Sequence, residues 1–136
     1  MRILGIDYGE VRTGVAVSDP LGWTAQGVGT INERDPKKVA ERVAEYVKEY
    51  NAEKIVIGLP KNMDSTEGFR AKATKEFAAI LGTLCTVPFV FWDERLTTTA
   101  SIRTLNETNV RGEKRKKIID TVAATYILQG FLDKKF

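Results

Sequence analysis

The chain has 136 residues, 43% of them hydrophobic and 29% charged, and a formal net charge of +3. That length suits one hydrophobic core, so a single domain over 1–136 is expected. Zero histidines and one cysteine exclude an internal disulfide, a zinc site of thiolates and imidazoles, and every histidine-based acid, base or triad.

Catalysis in such a chain has to run on carboxylates, Lys, Tyr, Ser, Thr or a bound hard cation. Cys85 reads as a small packing residue, because no imidazole exists to activate it. No apolar stretch is long enough to cross a bilayer, and the start of the chain does not resemble a signal peptide. A cytoplasmic location without membrane attachment is therefore expected.

In chain order, Ile3 to Asp7 is a short apolar run. Thr13 to Ser18 is a second and Val28 to Ile31 a third, with Gly9, Gly22 and Gly27 marking the breaks. Short connections predict antiparallel pairing of these three. Asp35-Pro36 is an N-cap followed by proline at the first helical position, and Val39, Val43, Tyr46, Val47 and Tyr50 continue at helical spacing. Lys54 to Leu59 is a β-branched strand. A second helix follows a polar loop, with Phe69, Ala73, Phe77, Ile80, Leu81 and Leu84 on its apolar side. Val87 to Trp92 is a fifth strand, and two helices, Thr97 to Glu107 and Lys114 to Leu132, complete the chain. The order predicts an α/β fold: a mixed five-stranded sheet, a three-strand antiparallel meander plus two α-linked parallel strands, with helices on both faces.

Three acidic positions stand out. Asp7 ends the first strand. Asp93-Glu94 ends the fifth, and alternation puts those two on opposite faces without choosing between them. Asp120 interrupts an apolar helix face shared with Ala123, Ala124 and Ile127, whose small members let a helix approach a sheet closely. Taken singly, Asp7 reads better as a turn cap than as a catalytic acid, and a salt-bridged Asp120 is as good a reading as a metal ligand. Carboxylates without imidazoles suit Mg2+ or Mn2+, and a pair of such cations supplies Lewis acidity for in-line attack on a phosphodiester.

The positive charge is local. The 111–117 segment holds five of the 21 basic residues and one of the 18 acidic ones, leaving 16 basic against 17 acidic elsewhere. A phosphate-binding loop needs such a segment, and a solvated helix start also fits it.

Ile6-Asp7-Tyr8-Gly9, Arg12 to Asp19, Gly58-Leu59-Pro60, Asp93-Glu94-Arg95-Leu96-Thr97-Thr98 and Asp120-Thr121-Val122-Ala123-Ala124 together resemble the YqgF (RuvX) family over essentially the whole chain. The family is described as Holliday-junction resolvases or pre-16S rRNA nucleases with a ribonuclease H-like fold. The resemblance implies that Asp7, Glu94 and Asp120 form an acidic, metal-holding catalytic site, with Asp93 in support. It also implies that Arg12, Lys61, Arg95, Arg111, Lys114, Arg115 and Lys116 contact phosphates of structured RNA or branched DNA. Val11 stands where the family usually has Lys, and Ser65 where Gly is common.

The expected function is therefore a Mg2+- or Mn2+-dependent nuclease, with 5′-end processing of pre-16S rRNA ahead of Holliday-junction resolution in DNA recombination. A non-catalytic nucleic-acid-binding module is the alternative. An actin-like ATPase would share the topology, but it needs a second lobe for which 136 residues leave no room. The residues choose no oligomeric state between monomer and homodimer.

Overall fold

A computed structural model describes residues 1–60, 68–94 and 113–135, of which 113–120 and 135 are described by their backbone alone. Five strands, β1 (Arg2–Asp7), β2 (Arg12–Ser18), β3 (Ala25–Asn32), β4 (Ala52–Leu59) and β5 (Phe89–Asp93), form one sheet in the order β3-β2-β1-β4-β5. The first three pair antiparallel, and β4 and β5 add in parallel. Three helices accompany them among the described residues: α1 (Pro36–Tyr50), α2 (Phe69–Leu84) and α3 (Glu113–Lys135). The expected helix over 97–107 lies outside the described residues.

Local chemistry sets the element boundaries. The Asp35 side chain accepts from Lys37 N at 3.0 Å, and Asn51 closes α1 in the left-handed conformation, φ 53°. β3 starts at Ala25, three residues earlier than expected, because Gly27 pairs with Ala16 beside a register shift and breaks nothing. β5 starts at Phe89, after Pro88, which has no amide to donate but whose carbonyl accepts from Ile55 N at 3.0 Å.

Strand alternation divides the interior in two. Leu4, Ile6, Tyr8, Val15, Val17, Ile55 and Ile57 pack with Val39, Val43, Phe77 and Leu81 beneath α1 and α2. Ile3, Ala16 and Val56 pack on the other side with Ala124, Ile127, Leu128 and Leu132 of α3. Phe77 is fully buried and stacks on Tyr8 at 4.3 Å between centroids; deleting such a ring costs about 3–5 kcal/mol.

One expected packing position is corrected. Phe69 is 77% exposed, and α2 buries Ala71, Thr74, Phe77, Ala78 and Leu81 instead. A run spaced by four residues drifts about 40° per step around a helix of 3.6 residues per turn, which carries Phe69 off the Phe77 side. Trp23 is 59% exposed in the β2–β3 turn. Asp19 shapes that turn by accepting from the amides of Leu21, Trp23 and Thr24 and from the Thr24 hydroxyl. Trp92 packs edge-on to Phe131 at 6.2 Å.

Candidate active site

The parallel strands β1, β4 and β5 all finish at one end of the sheet, one face of which is covered by α3. Asp7 shares the parity of Ile3 and so lies on the α3 face. Glu94 directly follows β5 and shares the parity of Val90 and Trp92, which pack against the same helix. Asp93, opposite Leu59 in the β4 register, takes the other parity. The geometry thus puts Glu94, rather than Asp93, on the face of Asp7.

Between Asp7 and Glu94 stands Gly58, one step beyond the Ile6–Ile57 pair of β1 and β4 and directly opposite Trp92. A Cβ on Gly58 would lie 2.8 Å from Glu94 Oε1 and 2.4 Å from Ile127 Cδ1. The missing side chain is the space into which Glu94 folds. Its carboxylate therefore covers the strand adjacent to Asp7, at a strand spacing of about 4.8 Å.

Both acids are buried, each 4% exposed. One oxygen of each, Asp7 Oδ1 and Glu94 Oε1, takes no hydrogen bond. Both residues make hydrogen-bonding or electrostatic contacts elsewhere. Burial pushes the Glu94 carboxyl up to about 7, against the pull of Arg70 and with a further push from Asp93. Charge at this end is costly until a cation arrives, and oxygen donors of this kind fit a hard divalent ion.

The third expected acid, Asp120, lies in α3 with its side chain outside the described residues. The backbone nevertheless fixes its level. Thr121 Oγ1 is 2.9 Å from Thr30 Oγ1, and Thr30 pairs with Gly14, which pairs with Asp7. Farther along α3, Gln129 accepts from Ala25 N at the opposite end of β3. Hence α3 runs antiparallel to β1, and Asp120 belongs to the turn that crosses the sheet at the Asp7 end. Gly5 permits this close crossing, since a Cβ there would meet Leu128 Cβ at 2.6 Å and Ala124 O at 3.1 Å. Among the described side chains, which do not include that of Asp120, no set of three acids assembles.

Of the expected phosphate contacts, Arg12 opens β2 two residues before Gly14 and so stands at this end, half-buried and engaged in contacts of its own. Lys61, Arg95 and Arg111 lie outside the described residues, as do the side chains of Lys114, Arg115 and Lys116.

Arg70, which the sequence pattern did not single out, is also at this end. Its Nη2 donates to Tyr8 O at 2.7 Å, and its charge acts on Glu94. A cation in the first turn of a helix, where acids are favoured, is the signal that could have found it. Burial pushes the Tyr8 phenol up, with Arg70 opposing.

The chain is 53% identical over 135 residues to a Listeria innocua protein named "Putative pre-16S rRNA nuclease", covering 98% of both. It is 52% identical over 137 residues to a Bacillus cereus protein of the same name, with 99% and 100% covered. Among solved structures, a Thermus thermophilus RuvC in complex with Holliday junction substrate superposes with a TM-score of 0.64 at 12% identity, covering 99% of this chain and 96% of that one. The fowlpox virus Holliday junction resolvase gives a TM-score of 0.56 at 14% identity over the full length of both. These two likenesses establish the ribonuclease H-like fold. A family model described as Holliday junction resolvase matches residues 1–134, and the chain belongs to that family, RuvX.

Proposed function

We propose that this protein is a metal-dependent nuclease, a hydrolase that cuts phosphodiesters of structured nucleic acid, with 5′-end processing of pre-16S rRNA as its task. The observation that carries the reading is the pairing of two buried carboxylates, Asp7 and Glu94, on one face of the sheet around Gly58. The names of its relatives, about half identical along their whole length, support the RNA substrate.

In this reading Asp7, Glu94 and Asp120 hold Mg2+ or Mn2+, which supplies Lewis acidity to the scissile phosphate and its attacking water. The chain's own part is to present ionised oxygens in a site from which bulk water is largely excluded. Glu94 has to give up its proton first, because only its ionised form is a ligand. Arg12, Lys61, Arg95, Arg111, Lys114, Arg115 and Lys116 contact backbone phosphates, and residues 1–136 act as a single nuclease domain.

Holliday-junction resolution is the second reading, favoured by the description of the family. Both are tested side by side on a pre-16S rRNA fragment and a four-way DNA junction, each with Mg2+, Mn2+ or chelator. The proposal expects metal-dependent cleavage of the RNA; faster cutting of the junction supports the second reading. Cleavage that survives chelation overturns the metal mechanism.

A further inference from the structure

Arg70 occupies the first turn of α2, which contains no acid and whose N-cap, Gly68, offers no side-chain cap. A cation there opposes the helix dipole, so its placement does not serve the helix. It is nevertheless held in place. Nη2 is fixed to Tyr8 O at 2.7 Å, and the guanidinium lies 5.8 Å from the centroid of the Tyr8 ring, itself stacked on buried Phe77. Tyr8 directly follows Asp7, so this anchored cation stands at the strand ends next to the acidic face.

We propose that Arg70 is a substrate-binding residue of the nuclease site, gripping a backbone phosphate of the nucleic acid laid across the ends of β1 and β5; this rests on the nuclease reading above. Two buried carboxylates repel an incoming phosphodiester, and a preorganised fork of N–H donors offsets that repulsion at little entropic cost. Tyr8 O is the hydrogen-bond acceptor that Arg70 has among the described residues, which leaves most of its five donors for a phosphate.

The test is binding of a fluorescent pre-16S rRNA fragment in chelator, so that nothing is cut, over a salt series with parent, Arg70→Gln and Arg70→Lys. Arg70→Gln should melt cooperatively and weaken binding about tenfold at moderate salt. The slope of log K against log salt should shrink by about 0.7–0.9, the loss of one phosphate contact. Arg70→Lys, keeping charge without the fork, should retain the slope and lose affinity severalfold. Parental affinity and slope in a folded Arg70→Gln overturn the proposal and leave the nuclease reading standing. Should Arg70→Gln not fold, parental affinity in Arg70→Lys overturns it. A parent that binds no RNA in chelator, yet cuts it with Mg2+, overturns it as well.

Discussion

Glu94 Oε1 lies 2.8 Å from the point where a Cβ on Gly58 would stand, so the absence of a side chain at residue 58 is what lets the carboxylate fold over β4 towards Asp7. Gly58→Ala should displace Glu94 and crowd Ile127. We expect cleavage to fall by at least about tenfold and stability by about 1–3 kcal/mol, the usual cost of overpacking. Denaturant melts and single-turnover cleavage of the same preparation check both. A variant with parental activity would show that Glu94 is not held where the chemistry needs it.

Glu94 makes the metal-free protein pH-sensitive. Its folded value of about 7 lies above the ordinary 4.5, so the folded state binds the proton more tightly than the unfolded state. The penalty is absent below about pH 4.5, grows as pH rises between the two values and is complete above 7. It amounts to about 3 kcal/mol at most. Glu94→Gln should therefore be more stable than the parent at pH 8 in chelator, with the difference vanishing near pH 4.5. Urea melts across that range read it; equal stabilities at pH 8 would contradict the assigned burial.

Gly5 supports the site at a distance. Adding a methyl there brings Cβ to 2.6 Å from Leu128 Cβ and 3.1 Å from Ala124 O, and backbone cannot yield as a side-chain tip does. Gly5→Ala should push α3 off the sheet, cost about 1–3 kcal/mol and lower cleavage, because α3 carries Asp120. Gly82→Ala is the control. Its Cβ would meet only Phe89 at 3.6 Å, an ordinary contact, and it should cut RNA at the parental rate. Matching losses in the two variants would separate activity from the seating of α3.

Much of the fold was legible in the residues. Alternating and β-branched runs, the Asp35-Pro36 start of α1 and the short early connections predicted a meander extended by two parallel strands, as observed. Boundaries were less legible: Gly27 reads as a break in one dimension and is a paired, bulged strand position in three. Asp7 was visible as a strand-ending acid; alternation left Asp93 and Glu94 with equal standing, the family resemblance pointed to Glu94, and the packing of α3 puts Glu94 on the face of Asp7. Arg70 left only a faint trace in the sequence, a cation in the first turn of a helix, because its meaning comes from the Tyr8 carbonyl, 62 residues away.

The central claim is that Asp7 and Glu94 hold a divalent cation together with Asp120. Calorimetric titration of Mn2+ into the parent and into Asp7→Asn, each shown by thermal melting to be folded, measures this directly. We predict saturable binding to the parent that releases protons near pH 7, loss of that binding in Asp7→Asn, and a metal-free melting temperature in the variant equal to or above the parent's, as repulsion between acids is relieved. Equal Mn2+ affinity in the two proteins, or a large loss of metal-free stability in Asp7→Asn, would contradict it.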